Sequence, residues 1–277
     1  MMKPMERKLL KRDARPPTSR PKKSLGQHFL MHARIAERIA LTAGTAPDSV
    51  VLEIGPGTGI LTRELLKLVQ RVIAVEADAE LSQKLKNDFA DEIAAGRLEL
   101  VCGDIRTFDI STLPKKYALV ANIPYYLTGK IFRMFLSSDN QPSAMTLLVQ
   151  KEVAERIVGN PEQSRGTRSK KESILSLSVK AYGTPKYEFT VPRGAFRPAP
   201  NVDSAVLTIR DISRKNFTTK AKENRFFALL HAGFAHKRKF VRSNLTEAGL
   251  PLRNIPEKAR AEDLLLSDWL RVNGKWE

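Results

Sequence analysis

A single cysteine, Cys102, is all that 277 residues contain, so neither an intramolecular disulfide nor a cysteine-rich metal site can form. A reducing, cytoplasmic setting is the corresponding expectation. Histidine is scarce as well: His28, His32, His231 and His236 show no metal-ligand constellation, and each reads as an ordinary core or surface residue. No segment approaches the roughly 18 consecutive apolar residues of a membrane-spanning helix. Acidic residues are few relative to basic ones, 30 against 47, and the formal charge of +17 calls for a polyanionic partner. Nucleic acid and an anionic membrane surface both match that charge, but nothing inserts, so no membrane partner is expected. A hydrophobic fraction of 42% is enough for a buried core and excludes a wholly disordered chain.

The basic excess begins at once. The first 23 residues carry nine Lys or Arg against Glu6 and Asp13, and Pro4, Pro16, Pro17 and Pro21 break any long helix. Residues 1–22 therefore read as a flexible basic arm, either a solvated tail or an RNA-gripping one. An organelle transit peptide fits less well, because the segment has acidic residues and little serine.

From Ser49 onward, short apolar runs alternate with helical-period stretches, the pattern of an α/β fold with a parallel sheet. Strands are expected at Val50–Ile54, Arg71–Glu76, Leu98–Cys102, Tyr117–Ala121 and Ala144–Val149, most of them too apolar to face water. Helices are expected at Ile60–Val69, from an Asp78 cap to about Phe89, from a Thr128 cap to Leu136, and at Lys151–Val158 and Ser173–Ala181. Lys186–Val191 and Ser204–Arg210, separated by the proline-rich stretch Pro192–Pro200, suggest a closing antiparallel pair. Beyond Asp211 the period turns helical with basic clusters, as in Phe226–Phe234 and Lys237–Leu245. The expected domains are thus the arm at 1–22, a sheet domain at 23–211 and a small helical domain at 212–277.

Glu53-Ile54-Gly55-Pro56-Gly57-Thr58-Gly59 sits where the first of those strands meets its helix, the position at which doubly wound sheets bind ligands. Glycine there lets backbone approach a ligand without Cβ collisions. A G-x-G-x-G spacing, rather than the pyrophosphate-cradling G-x-G-x-x-G, favours S-adenosylmethionine over a dinucleotide. Glu76, about 20 residues past Gly55, falls where a carboxylate accepts both ribose hydroxyls, a role nicotinamide sites share. Asp104 closes the next strand, where it either accepts from the cofactor's adenine amino group or caps a helix.

Asn122-Ile123-Pro124-Tyr125, expected directly after the fourth strand, is the most specific pattern. An adenine amino nitrogen is a poor nucleophile because its lone pair is delocalised into the ring. The Asn122 side-chain oxygen and the Ile123 carbonyl, stiffened by Pro124, can accept the two amino hydrogens and favour a pyramidal nitrogen. Tyr125 offers a face on which an extruded base can stack. Neither a metal nor a covalent nucleophile is needed, because a methyl sulfonium is an activated group and positioning meets much of the barrier. The plainer alternative is a strand-end turn with a core tyrosine.

Five ordered blocks carry a wider likeness: Gln27-His28-Phe29-Leu30, Glu53 to Gly59, Asn122 to Tyr125, Leu148 to Val153, and Phe196 to Ala205. Across roughly Lys22 to Leu270 the chain resembles the KsgA-type small-subunit (16S) ribosomal RNA adenine N6,N6-dimethyltransferases. That resemblance implies a Rossmann-like class I methyltransferase domain with a mostly parallel seven-stranded sheet, plus a C-terminal helical RNA-binding domain. It implies a cofactor site lined by His28, Leu30, Gly55, Gly57, Glu76, Asp104 and Asn122, although the family commonly has Asn where this chain has His28. It also implies Phe196 as the ring that sandwiches the target base against Tyr125, the alternative being a core plug beneath the proline loop. Tyr126, which varies in the family, becomes a candidate for shaping the pocket that admits a monomethylated intermediate.

The implied activity is double methylation of two neighbouring adenosines near the 3′ end of small-subunit rRNA in a pre-ribosomal particle, by a monomer. Arg165–Lys171 and the stretch with Lys237, Arg238, Lys239 and Arg242 are the candidate RNA-backbone contacts, or simply solvated faces. Two other readings stand: a large-subunit (23S) methylase of the macrolide-resistance type, and a non-catalytic ribosome-assembly or transcription factor on the same fold. The block from Phe234 to Lys239 and on through Asn244-Leu245, together with the Val202-Asp203-Ser204-Ala205 segment, resembles the small-subunit branch more closely.

Overall fold

Apolar strands separated by glycine turns and amphipathic helices assemble into a seven-stranded sheet. The computed structural model describes residues 22, 25–159, 171–250 and 255–273. The basic arm, Lys22 apart, and the stretch 165–171, Lys171 apart, lie outside the described residues. In chain order the strands are β1 Phe29–Leu30, β2 Val50–Ile54, β3 Arg71–Glu76, β4 Leu98–Cys102, β5 Ala118–Asn122, β6 Ala144–Gln150, β7 Thr184–Val191, β8 Phe196–Arg197 and β9 Ser204–Arg210. The helices are α1 Ala33–Ala43, α2 Ile60–Leu68, α3 Ala79–Asp88, α4 Ala90–Ala94, α5 Thr128–Leu136, α6 Lys151–Val158, α7 Ile174–Lys180, α8 Lys220–Gly233, α9 Val241–Glu247 and α10 Leu266–Asn273.

The sheet order is β4-β3-β2-β5-β6-β9-β7. The first five are parallel, β9 runs antiparallel to β6, and β7 lies at the edge beyond β9. β2, β3, β5 and β6 are buried along nearly their whole length, which explains why they read as apolar runs rather than alternating ones. The order reverses between β2 and β5, opening a crevice at their carboxyl ends. β5 runs one residue further than expected, so Asn122 is the strand's last residue, paired with Leu148, and not the first residue after it.

A second sheet of two strands went unforeseen. β1 pairs antiparallel with β8, Phe29 opposite Arg197 and Leu30 opposite Phe196, and the Met31 N–H donates to the Ala195 carbonyl at 2.9 Å. The Gln27–Leu30 block is thereby fastened to the proline-rich loop far along the chain. α1 follows, burying Ile35, Ala36, Ile39, Ala40 and Ala43 and packing on β5, β6 and β9. Each buried isoleucine contributes about 1.5–3 kcal/mol. Gly44 ends α1 in the left-handed region at φ 61°, where a side chain would be strained.

Of the caps expected for α3 and α5, only the first forms. The Asp78 carboxylate accepts from the Glu80 N–H at 3.1 Å and starts α3. Thr128 is not a cap. A 3-10 turn over Tyr125–Leu127 feeds straight into α5, leaving no extended cap position, and the Thr128 hydroxyl donates to the Tyr125 carbonyl at 2.9 Å instead.

The described chain packs as two compact units. The first runs to Lys151 and resumes at Lys186–Arg210; the second takes Glu152–Pro185 and the residues described from Asp211 on. The described residues between 152 and 185, read from the sequence as part of the sheet domain, thus group with the C-terminal helices. Within the second unit, α8 starts at a Thr219 cap and packs on α7, α9 and α10. The expected helix at Lys237–Leu245 is a turn as far as Lys239, with α9 only from Val241. A β-carbon on Gly233 would lie 2.3 Å from the Trp269 ring, so only glycine lets α8 and α10 approach.

Candidate active site

The glycine turn after β2 has Gly55, Gly57 and Gly59 at φ 65°, 58° and 77°. The conformation belongs to glycine on backbone grounds, and at Gly59 space adds a second reason: a β-carbon would lie 2.6 Å from the Phe89 ring. The buried Glu76 carboxylate at the end of β3 accepts from the Gly57 N–H at 3.0 Å and from the Asp78 N–H at 2.9 Å. Burial raises its pKa, and those two donors hold it back. Deeper still, burial pushes the Glu53 carboxyl up to about 8, with the charge of Glu76 adding to the shift, and Glu53 Oε2 has no hydrogen-bond partner.

Asp104 follows β4. Its carboxylate accepts from the Arg106 N–H at 2.8 Å and from Arg106 Nε at 2.8 Å, and it is also bonded to Nη2. Those hydrogen bonds hold its pKa below the usual carboxylate range. Asp104 thus caps a short 3-10 turn, and it also lines the cavity.

Across the reversal point, Asn122 Nδ2 donates to the His28 carbonyl at 3.2 Å. That bond uses the donor end of the amide and leaves the oxygen end for an incoming donor. Tyr125 is held at both ends: its hydroxyl is 2.8 Å from the fully buried Ser204 Oγ, and its carbonyl receives Thr128. Burial raises the phenol's pKa, so it stays neutral. The His28 ring stacks beside Tyr125 with centroids 5.9 Å apart and 24° between planes, and its Nδ1 is 2.8 Å from the Pro198 carbonyl.

One cavity gathers these groups. Its wall includes His28, Leu30, Gly55, Gly57, Glu76, Asp104, Asn122, Pro124 and Tyr125, with Glu53, Arg106 and Tyr126 besides. Phe196 is not among them: it is 5% exposed and belongs to the core with Leu30 and Val206. The ring found against Tyr125 is that of His28. Lys22 Nζ and Gln27 Nε2 both donate to the Asp78 carboxylate, at 2.7 and 3.2 Å, tying the segment before β1 to the start of α3.

Residues 18–272 match the model of a protein family described as ribosomal RNA adenine dimethylase. The chain belongs to that family. Relatives named ribosomal RNA small subunit methyltransferase A include one from Crocosphaera subtropica, 38% identical over 274 residues, covering 91% of this chain and 97% of the relative. Another, from Deinococcus radiodurans, is 37% identical over 257 residues, covering 90% and 83%. Among solved structures, the 23S rRNA methyltransferase ErmE matches with a TM-score of 0.70 and 26% identity, covering 88% of this chain and 98% of that one. A dimethyladenosine transferase from Plasmodium falciparum matches with the same score and identity, covering 86% and 94%.

Membership in the dimethylase family makes the Rossmann-like α/β fold and the methyl donor, S-adenosylmethionine, plain conclusions. The site's residues fit that donor: a close-approach glycine turn, an acid at the end of β3 and an acid after β4 line one cavity. Sequence reasoning passed over Ser204, Gln27 and Arg106 as site residues. Ser204 and Gln27 lay inside quoted blocks, but their partners, Tyr125 and Asp78, are distant in sequence. Lys237, Arg238 and Lys239 are exposed in the second unit, and Arg242 is half-buried in α9. Lys239 pairs with Glu247 and Arg242 with Glu257, whereas Lys237 and Arg238 form no ion pair with a described residue.

Proposed function

We propose that the chain uses S-adenosylmethionine to dimethylate the N6 amino groups of two adjacent adenosines near the 3′ end of small-subunit (16S) rRNA in a pre-ribosomal particle. It acts as a cytoplasmic monomer. The observation that carries the chemistry is the Asn122 amide, pinned by its nitrogen to the His28 carbonyl with its oxygen left as an acceptor, beside an anchored Tyr125 ring. Support for the small-subunit target comes from the relatives at 37–38% identity, whose names specify that subunit, against 26% for ErmE.

The chain's own residues divide the work. Glu76 receives the donor's ribose hydroxyls, Asp104 its adenine amino group, the Gly55–Gly57 turn admits it closely, and His28 and Leu30 form the wall. When bound, the donor supplies a methyl group on a sulfonium, a leaving group that needs no further activation. In the first transfer Asn122 and the Ile123 carbonyl draw the two N6 hydrogens toward themselves and localise the lone pair, and in the second one of them holds the single remaining hydrogen; N6 gives up one proton to water for each methyl it gains. Pro124 stiffens the turn that presents the carbonyl, and Tyr125 stacks on the extruded base. Phe196 contributes from behind, through the β1–β8 pairing that sets the His28 backbone.

Residues 212–277 serve as the helical RNA-binding part, with Lys237, Arg238, Lys239 and Arg242 as phosphate contacts and the arm at 1–22 as an added grip. No helix among the described residues is long and apolar enough to cross a membrane. Transfer of labelled methyl groups to purified unmethylated small subunits, and not to large-subunit RNA, is the expected result. Preferential labelling of the large-subunit RNA would move the chain to the macrolide-resistance branch.

A further inference from the structure

Tyr126 stands apart from the other aromatic side chains near the site. It lines the same cavity as Asn122 and Tyr125, yet 59% of it is exposed. Large apolar surface left in water at a cavity mouth, with cations around it, is a recurring sign of a nucleobase platform. The ring is not loose, because a β-carbon on Gly26 would lie 3.2 Å from its Cε1 and Gly26 itself is held at φ 59°. Tyr126 therefore has one edge against the backbone of the segment before β1 and the remainder open.

One cation lines this rim, and a second acts on it from α5. Arg106 lines the cavity beside Tyr126, anchored by its hydrogen bonds to Asp104, while nearly half of its side chain remains exposed. Lys130, exposed on the first turn of α5, is close enough for its charge to act on Asp104. Arg106 and Lys130 carry two positive charges, against one negative charge on Asp104. An exposed aromatic face flanked by an arginine and a lysine matches a single-stranded nucleotide, whose base stacks while its phosphate takes the charge.

We propose that Tyr126, Arg106 and Lys130 form a subsite for the RNA nucleotide that flanks the pair of target adenosines: its base stacks on Tyr126 and its phosphate lies between the two cations. The proposal rests on the RNA methylation reading above and deepens it, by naming what holds the strand at the mouth once the target base is inside. Because stacking is tolerant of base identity, the subsite grips a neighbour without demanding a particular one.

The test is a two-by-two comparison on reconstituted unmethylated small subunits, which carry either the natural nucleotide flanking the target pair or an abasic residue there, both target adenosines being kept. Wild-type and Tyr126→Ala proteins are compared for particle KM and for S-adenosylmethionine Kd by calorimetry. On the natural particle, Tyr126→Ala is expected to raise KM about 10-fold with cofactor Kd unchanged, and Tyr126→Phe to stay within about twofold. On the abasic particle the Tyr126→Ala effect disappears, since each change removes the same contact. Arg106→Gln should lower the salt dependence of particle binding by close to one phosphate equivalent.

An equal KM penalty on both particles, no penalty on either, or a parallel loss of cofactor affinity would overturn the subsite. Absence of methylation by the wild-type protein would instead refute the underlying functional reading, so the two failures are distinct.

Discussion

The amide nitrogen of Asn122 is 3.2 Å from the main-chain carbonyl of His28, a contact between residues 94 apart in sequence. It joins the end of β5 to the segment before β1 and sets which end of the amide is free to act. Replacing Asn122 with Ala is expected to reduce methyl transfer by about 10²–10³-fold, the typical loss for one positioned polar group at a reacting centre. Stability should fall by only about 0.5–1.5 kcal/mol, the worth of one hydrogen bond. Single-turnover kinetics with a denaturant unfolding curve separates the two effects.

Tyr125 divides into a ring and an anchor. Tyr125→Phe keeps the ring but frees Ser204 Oγ, which is fully buried. Unfolding should show a loss of about 1–3 kcal/mol, with methyl transfer kept within a few-fold. Tyr125→Ala removes the stacking face, worth about 1–3 kcal/mol per base, and should cost transfer at least tenfold. A phenylalanine variant as inactive as the alanine one would mean that the hydroxyl, not the ring, matters.

Glu53 makes a prediction about pH. Its folded pKa is raised to about 8 from 4.5, chiefly by burial. Between those values the folded state holds a proton that the unfolded state has released, so this group's contribution to stability is complete below pH 4.5 and is lost as pH rises to about 8. Glu53→Gln keeps a neutral side chain of similar shape and should flatten the decline. Urea unfolding of both proteins from pH 5 to 9 measures it: the variant's advantage should grow with pH and level off above 8. A difference independent of pH would contradict the raised pKa.

Lys237 and Arg238 are exposed and without an ion pair to any described residue, unlike Lys239 and Arg242. Reversing both charges should weaken RNA binding and lower the slope of log affinity against log salt by about 0.7–0.9 for each phosphate contact removed. Binding titrations at several ionic strengths read the slope directly, and an unchanged slope would remove these residues from the interface.

The sheet was legible because strands buried on both faces need continuous apolar runs, and β2, β3 and β9 end where those runs end. Glycines at positive φ and acids at strand ends marked the cavity for the same local reason. Contacts between distant segments left no such trace. The β1–β8 pairing spans two residues on each side, too short for any period, and it delivers His28 rather than Phe196 to Tyr125. Thr128 looked like a cap because its residue type is right, but the preceding 3-10 turn had already started the helix. Arg106 is an ordinary charged residue in sequence, and only its closure on Asp104 draws attention to it.

The central claim is that Asn122 and Tyr125 present an adenine N6 for two successive methyl transfers. Mass-spectrometric mapping of small-subunit RNA, after incubation of unmethylated particles with S-adenosylmethionine and either wild-type or Asn122→Ala protein, tests it most directly. The account predicts dimethyladenine at two neighbouring positions near the 3′ end with the wild-type protein and almost none with the variant. Equal dimethyladenine with both proteins, or a methyl group on any atom other than N6, would contradict it.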